Sequence, residues 1–366
     1  MGTSENGVPV YGSLFVYAPN KILPIVFAVL YGLSAVGHYY QCFRYKAFKM
    51  IGLHPFCATL FAIGYAMREV GAYNYSWQTD VDGKINTTNL IVYVVSQVLI
   101  FVAPPLLELA NYHVLGRILL YVPYFAPISP GRVLSTFGLL MAIVETLNAL
   151  GVALSSNPSG SSQGVGSSMV VAALGMQLVI IVVFVILAAV FHRRTVKAKM
   201  KKRALKTPLI VLYTSMVLIL IRCFYRLVEH LGNTVIDLDD MASLEALSPV
   251  LRYEWYFYVF EAAVMFLNSA LWNVFSPGRY LPQNPRVYLA RDGVTELEDN
   301  EKDDRSLMTK IGAIVSFGCL FRKRENRHFE QLHDYELSNR RLYRGRSHGV
   351  SSPLPQEHAP RSSSPA

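Results

Sequence analysis

Charge is what this sequence has least of. Charged residues make up only 16% of its 366 positions and apolar residues 52%, against roughly a quarter charged in an average soluble domain. The apolar residues come in runs of about twenty, the length that spans a bilayer, which excludes a soluble enzyme. Cysteine is scarce too. Cys42, Cys57, Cys223 and Cys319 fall in apolar runs or near the C-terminus, so no disulfide framework is expected. The first twenty residues lack a basic stretch leading into a cleavage site, so the first span is expected to act as its own insertion signal. His-Glu-x-x-His, Walker A and Gly-x-Ser-x-Gly motifs are all missing. His38, His54, His113 and His230 are scattered over opposite ends of the runs, so catalytic residues, a metal site and a cofactor are not expected.

Seven stretches are long enough to cross the hydrocarbon core: 22–43, 51–73, 89–112, 135–154, 168–191, 207–230 and 253–275. The expected fold is therefore all-α, a seven-helix membrane bundle over 21–278, preceded by an external segment 1–20 and followed by a cytoplasmic, mostly disordered tail 279–366. The basic residues set the orientation. Arg44, Lys46 and Lys49 follow the first stretch, Arg117 and Arg132 the third, and Arg193, Arg194, Lys197, Lys199, Lys201, Lys202, Arg203 and Lys206 the fifth, while the other side carries Lys21, Lys84 and Arg252. By the positive-inside rule the N-terminus lies outside and the C-terminus in the cytoplasm. The net charge of +9 is accounted for by these loops and the tail, where it meets anionic lipid, and does not indicate nucleic acid. The sequons at Asn74 and Asn86 fall on the expected outer side and are candidate glycosylation sites. Val114 to Ile128, short and broken by Pro123 and Pro127, reads as an interfacial or re-entrant segment. In the tail, Ile311 to Phe321 is too short to span and is followed by Arg322, Lys323 and Arg324. It reads as a segment on the inner leaflet, with Cys319 a candidate for palmitoylation. The tail and the basic fifth-to-sixth loop are the places for contact with a cytosolic partner.

Against this apolar background a few polar residues stand out. Measured from the outer end of each stretch, Gln97, Glu145, Gln177, Arg222 and Glu261 all fall roughly 12 to 14 Å deep at 1.5 Å per residue. Ionisable groups at that depth face the bundle interior and pair with one another. Arg222 is expected to pair with Glu261 or Glu145, the glutamines bonding around them, which leaves one carboxylate free for the ammonium of a cationic amphiphile or for a proton. The competing expectation is a layer that only locks the helices. Further out, Tyr65, Arg68, Arg226, Glu229 and Glu254 are candidate exit residues, although interfacial snorkelling competes for Arg68, Glu229 and Glu254. Glu108, placed near a cytoplasmic end, reads as structural. Tyr73, Tyr75, Trp77, Tyr253, Trp255, Tyr256 and Tyr258 form an expected interfacial belt.

Seven stretches with the N-terminus outside invite comparison with G-protein-coupled receptors. The third stretch, however, has no cysteine and ends Asn111-Tyr112-His113, and the seventh reads Asn273-Val-Phe-Ser-Pro277 and holds no lysine for retinal. At Arg222-Cys-Phe-Tyr-Arg226-Leu-Val-Glu229, Gly232, Glu254, Tyr258, Asn273 and Pro277-Gly278, the chain instead resembles the fungal RTA-like proteins, also called lipid-translocating exporters. Looser agreement comes from Tyr17-Ala-Pro19-Asn20, His38, Gly64-Tyr65 with Arg68, Tyr93 with Gln97, Ala103-Pro104, Gly116-Arg117, and Glu145 with Gly151. Departures lie at Ala58 to Phe61 and just before Glu145, where members often carry acidic residues. The resemblance implies a plasma-membrane protein of lipid and drug resistance that exports sphingoid long-chain bases or toxic aminosterols, with membrane lipids and amphiphilic small molecules as partners. A lipid sensor or receptor acting through the basic loop and tail is the alternative.

Overall fold

The computed structural model describes residues 7–76, 86–155, 163–200, 202–232, 241–284, 287–289 and 296–298. Its long helices are α1 (Leu23–Arg44), α2 (Leu53–Tyr73), α3 (Thr87–Tyr121), α4 (Pro130–Ser155), α5 (Gln163–Lys197), α6 (Arg203–Leu231) and α7. The last is continuous through Glu254–Phe257, Tyr258–Ala263 and Val264–Val274. All but α2 are long and apolar enough to cross a membrane, giving six candidate spans and a multi-pass membrane protein. In α2, 21 residues long, His54, Arg68 and Glu69 dilute the apolar run. Each expected stretch forms the body of one of these helices, and Trp77, Cys319 and the tail beyond 298 lie outside the described residues.

Local chemistry fixes where the helices begin. Asn20 Oδ1 accepts from the backbone N–H groups of Ile22 and Leu23 at 2.8 and 3.0 Å, ahead of α1. Asn86 does the same for Asn89 at the start of α3, and proline, with no N–H to lose, opens α4. Large apolar side chains such as Val29, Leu33 and Val36 on α1 and Val179, Val183 and Ile186 on α5 point outward and are exposed. Helices this apolar on every side have lipid as their natural solvent.

One expectation is corrected. Val114 to Ile128 is not a separate interfacial or re-entrant segment. α3 runs through Pro104 and Pro105 for 35 residues and ends at Tyr121, just before Pro123. Val114, Leu115, Ile118 and Leu119 are buried in its last turns. Proline removes one backbone bond, and inside a helix bundle neighbouring groups make good the loss.

The helices pack as a ring in chain order, α7 returning to α1, with α3 also reaching across to α6. α4 and α5 cross at Gly151 and Gly166. A Cβ on Gly151 would sit 2.9 Å from the Gly166 carbonyl oxygen, so the two backbones approach as only glycine permits. The α1–α7 seam is polar: Ser34 and Ser269 share a hydrogen bond of 2.6 Å, Asn273 donates to the Ser34 hydroxyl at 2.7 Å, and Gln41 donates to the Asn273 carbonyl at 2.6 Å. Beyond α7 the chain is held against α3. Arg117 donates to the carbonyls of Pro282 and Asn284 at 2.8 and 2.6 Å, and a short antiparallel pair, β1 (Val287–Leu289) and β2 (Glu296–Glu298), follows. Tyr121 and Lys202 both donate to the Glu296 carboxylate, at 2.7 and 3.2 Å, which holds it below the usual carboxylate range.

Candidate functional site

The centre of the bundle is organised by a local defect in α7. Over Tyr258–Ala263 the helix widens into a π turn, which re-aims side chains and frees backbone groups. Tyr31 of α1 donates to the Ala262 carbonyl there at 2.9 Å. Glu261, on the same turn, is fully buried and meets Arg222 of α6, whose Nε lies 3.0 Å from both carboxylate oxygens. The expected choice between Glu261 and Glu145 as partner thus falls on Glu261.

The other three residues of the expected layer are not gathered around that pair. Glu145, on α4, is half-buried and makes no ion pair among the described residues. Arg222 lies within electrostatic reach of it. Gln177 turns away to Glu108, donating to its carboxylate at 2.8 Å, while Tyr112 donates to the other oxygen. Glu108 is wholly buried and feels both Glu145 and Arg222. Counted to Tyr112, the third stretch puts Glu108 near an end; α3 runs on to Tyr121, so Glu108 lies well inside the helix. Gln97 lines a different space, a cavity of about 90 Å³ shared with Tyr17, Arg68, Tyr93, Tyr225 and Glu229.

That cavity lies toward the end of the bundle that carries the N-terminal segment. Arg68 is almost completely buried and does not snorkel. It donates to Glu254 at 3.2 Å and to the Tyr17 and Tyr258 hydroxyls at 2.9 and 3.3 Å. The rings of Phe15 and Phe257 lie 4.7 and 4.2 Å from its guanidinium carbon, close enough for cation–π attraction. Glu254 also accepts from the Asn20 backbone at 2.8 Å. Arg226 and Glu229 pair along one face of α6, and Arg226 sits 4.1 Å over the Phe101 ring. Tyr65 stands in an aromatic column with Phe27, Tyr31 and Phe61, its buried hydroxyl without a hydrogen-bond partner among the described residues and within electrostatic reach of Glu261 and Arg68. Tyr258, expected in the interfacial belt, is buried instead as a partner of Arg68. Asn74 closes α2 and is exposed, and Asn86 caps α3.

The roof of the cavity was not foreseen. Leu14, Phe15, Val16 and Tyr17 are all buried, and Val16 adopts φ of 70°. A β-branched residue in that conformation is strained by about 1–3 kcal/mol. Gly7, also at positive φ, lies on the Tyr253 ring, where a Cβ would come within 2.4 Å of ring carbon. Nothing in the spacing of these short-range contacts is visible in the sequence beyond the mixture of glycine and apolar residues.

The residues so arranged lie largely within one matched region, since the family described as RTA1 like protein matches residues 56–284. The chain belongs to the RTA1-like family. An RTA1-like relative from Leptosphaeria maculans, the "Lipid-translocating exporter-like protein RTA1", is 47% identical over 343 residues, covering 92% of this chain and 65% of the relative. The chain thus spans about two thirds of that relative's length. A protein of the same description from Ajellomyces capsulatus is 28% identical over 69% of this chain and 80% of its own. The "Probable lipid transporter atnI" of Emericella nidulans is 26% identical over 74% and 69%. No solved structure matches the chain.

Proposed function

We propose that this RTA1-like protein is a seven-span lipid translocator of the plasma membrane, N-terminus outside. In this reading residues 21–278 form the transport body, residues 279–366 are a cytoplasmic tail, and cationic amphiphiles such as sphingoid bases or aminosterols pass from the inner to the outer leaflet. The names of its relatives support lipid transport, and the asymmetry of basic residues supports the orientation. The observation that carries the choice of a cationic substrate is Glu145, a half-buried carboxylate without an ion-pair partner among the described residues, within electrostatic reach of Arg222, which is itself committed to Glu261. A lone carboxylate inside a bundle is costly unless a cation visits it. Glu145 takes the ammonium, Arg222 with Glu261 sets the charge of its surroundings, and Arg226 and Glu229 line the exit. Glu108, held by Tyr112 and Gln177, is a second carboxylate within electrostatic reach and the natural place for a coupled proton.

The test is leaflet-resolved transport of a fluorescent long-chain base by purified protein in vesicles, with and without a proton gradient. Glu145→Gln is expected to slow transport at least tenfold at unchanged protein level. Transport equal to the wild type would remove the role given to this carboxylate. Binding of the base with no movement in any variant would point to a sensor.

A further inference from the structure

The cavity below the N-terminal segment is far smaller than the several hundred Å³ that an organic ligand needs, and what fills the remainder of the mouth is the chain's own first residues. Between Val8 and Tyr17 the backbone folds back on itself: Val10 N–H donates to the Val16 carbonyl at 2.7 Å, Val16 N–H to the Ser13 carbonyl at 3.0 Å, and the Ser13 hydroxyl to the Tyr17 carbonyl at 2.8 Å. These bonds are internal to the loop. It is tied to the bundle by Leu14 N–H to the Tyr75 carbonyl at 3.0 Å, by Tyr17 with Arg68, by Phe15, which lies on the Arg68 guanidinium and edge-on to Tyr93 at 4.8 Å between ring centres, and by Val16 among Leu244, Leu247 and Leu251 of the α6–α7 connection. A loop that carries its own hydrogen bonds can leave as a unit, exposing few unpaired backbone groups.

We propose that residues 8–17 are a tethered plug in the exit of the amphiphile's path, with Phe15 and Tyr17 occupying, over Arg68, the position that a departing lipid takes. Export then requires the loop to lift, and the closed form described here is the resting one. The inference rests on the export reading for its physiological meaning, while the plug itself is testable without lipid.

Ser13 and Ser76 face each other across an isolated antiparallel bridge, a separation that a disulfide spans. In the pair Ser13→Cys/Ser76→Cys, oxidation therefore locks the loop and dithiothreitol frees it. Two readouts are made on the same full-length protein in vesicles. First, a fluorescent long-chain base is expected to move at least tenfold more slowly when the pair is oxidised, with recovery on reduction. Second, Gln97→Cys is added to that background, and its labelling by a membrane-impermeant maleimide is read at that position by mass spectrometry. It is expected to be at least tenfold slower in the oxidised protein. Equal labelling in the two states overturns the plug, and so does lipid movement that proceeds at the same measurable rate in both. Locked-state protection of position 97 with no lipid movement even in the reduced protein upholds the plug and removes the exporter.

Discussion

Arg222 and Glu261 show how much a single pair constrains this protein. Both are buried, and stripping one charge of its partner inside a bundle costs about 3–5 kcal/mol. Glu261→Gln is therefore expected to lower the thermal midpoint of the detergent-solubilised protein sharply. The double change Arg222→Met/Glu261→Leu recovers most of it, because an apolar pair of similar volume asks nothing of the surroundings. Glu108 obeys the same logic with neutral partners. Glu108→Leu leaves the Gln177 amide and the Tyr112 hydroxyl without their acceptor, a loss of about 1–3 kcal/mol, and Gln177→Leu in the same background returns part of it. At this scale the sequence told that Gln177, Arg222 and Glu261 would be buried and that Arg222 would seek a carboxylate, while Gln97 and Glu145 are only half-buried and Arg68 and Tyr258 are buried against expectation. It did not tell that Gln177 would choose Glu108 over the central pair, because depth counted from span ends assumes straight, parallel helices of equal extent. α3 and α5 are both 35 residues long and run well past their expected ends.

Among elements, the α4–α5 crossing depends on Gly151 and Gly166. A methyl at Gly151 would press on Val170 at 2.8 Å as well as on the Gly166 carbonyl. Gly151→Ala is thus expected to cost about 1–3 kcal/mol through overpacking, measured by thermal unfolding. The β1–β2 pair answers to pH. The folded Glu296 carboxyl sits below its ordinary value because Tyr121 and Lys202 bond to its charged form. Its contribution to anchoring is whole above the ordinary carboxylate value and is lost as pH falls through the depressed one. Proteolysis just after residue 284 is expected to accelerate on that descent, and Glu296→Gln to cleave quickly at every pH. The stretches that became helices were legible from hydropathy alone. The roof formed by Leu14 to Tyr17 and the small strand pair were not, because each rests on a few tertiary contacts and not on a repeating pattern.

For the molecule as a whole, orientation is the coarsest property and has a clean test. Asn86 both caps α3 and begins a sequon, so replacing it would confuse helix stability with glycan loss. Thr88→Ala removes the sequon and leaves the cap. With the N-terminus outside, endoglycosidase is expected to shift the mobility of wild type by more than that of Thr88→Ala. Equal shifts, with Asn74 mutated in both, would place that loop in the cytoplasm.

The polar seam between the first and last helices ties together residues 235 positions apart in sequence, as Ser34 and Ser269 show. Ribosomes add roughly 5–20 residues each second, so the serine, glutamine and histidine of α1 wait on the order of 10–50 s in the membrane before the helix that satisfies them has been made. A nascent chain in that interval looks to quality control like an orphaned subunit. Truncations that stop short of α7 would meet the same fate permanently, destroyed before any question of transport arises.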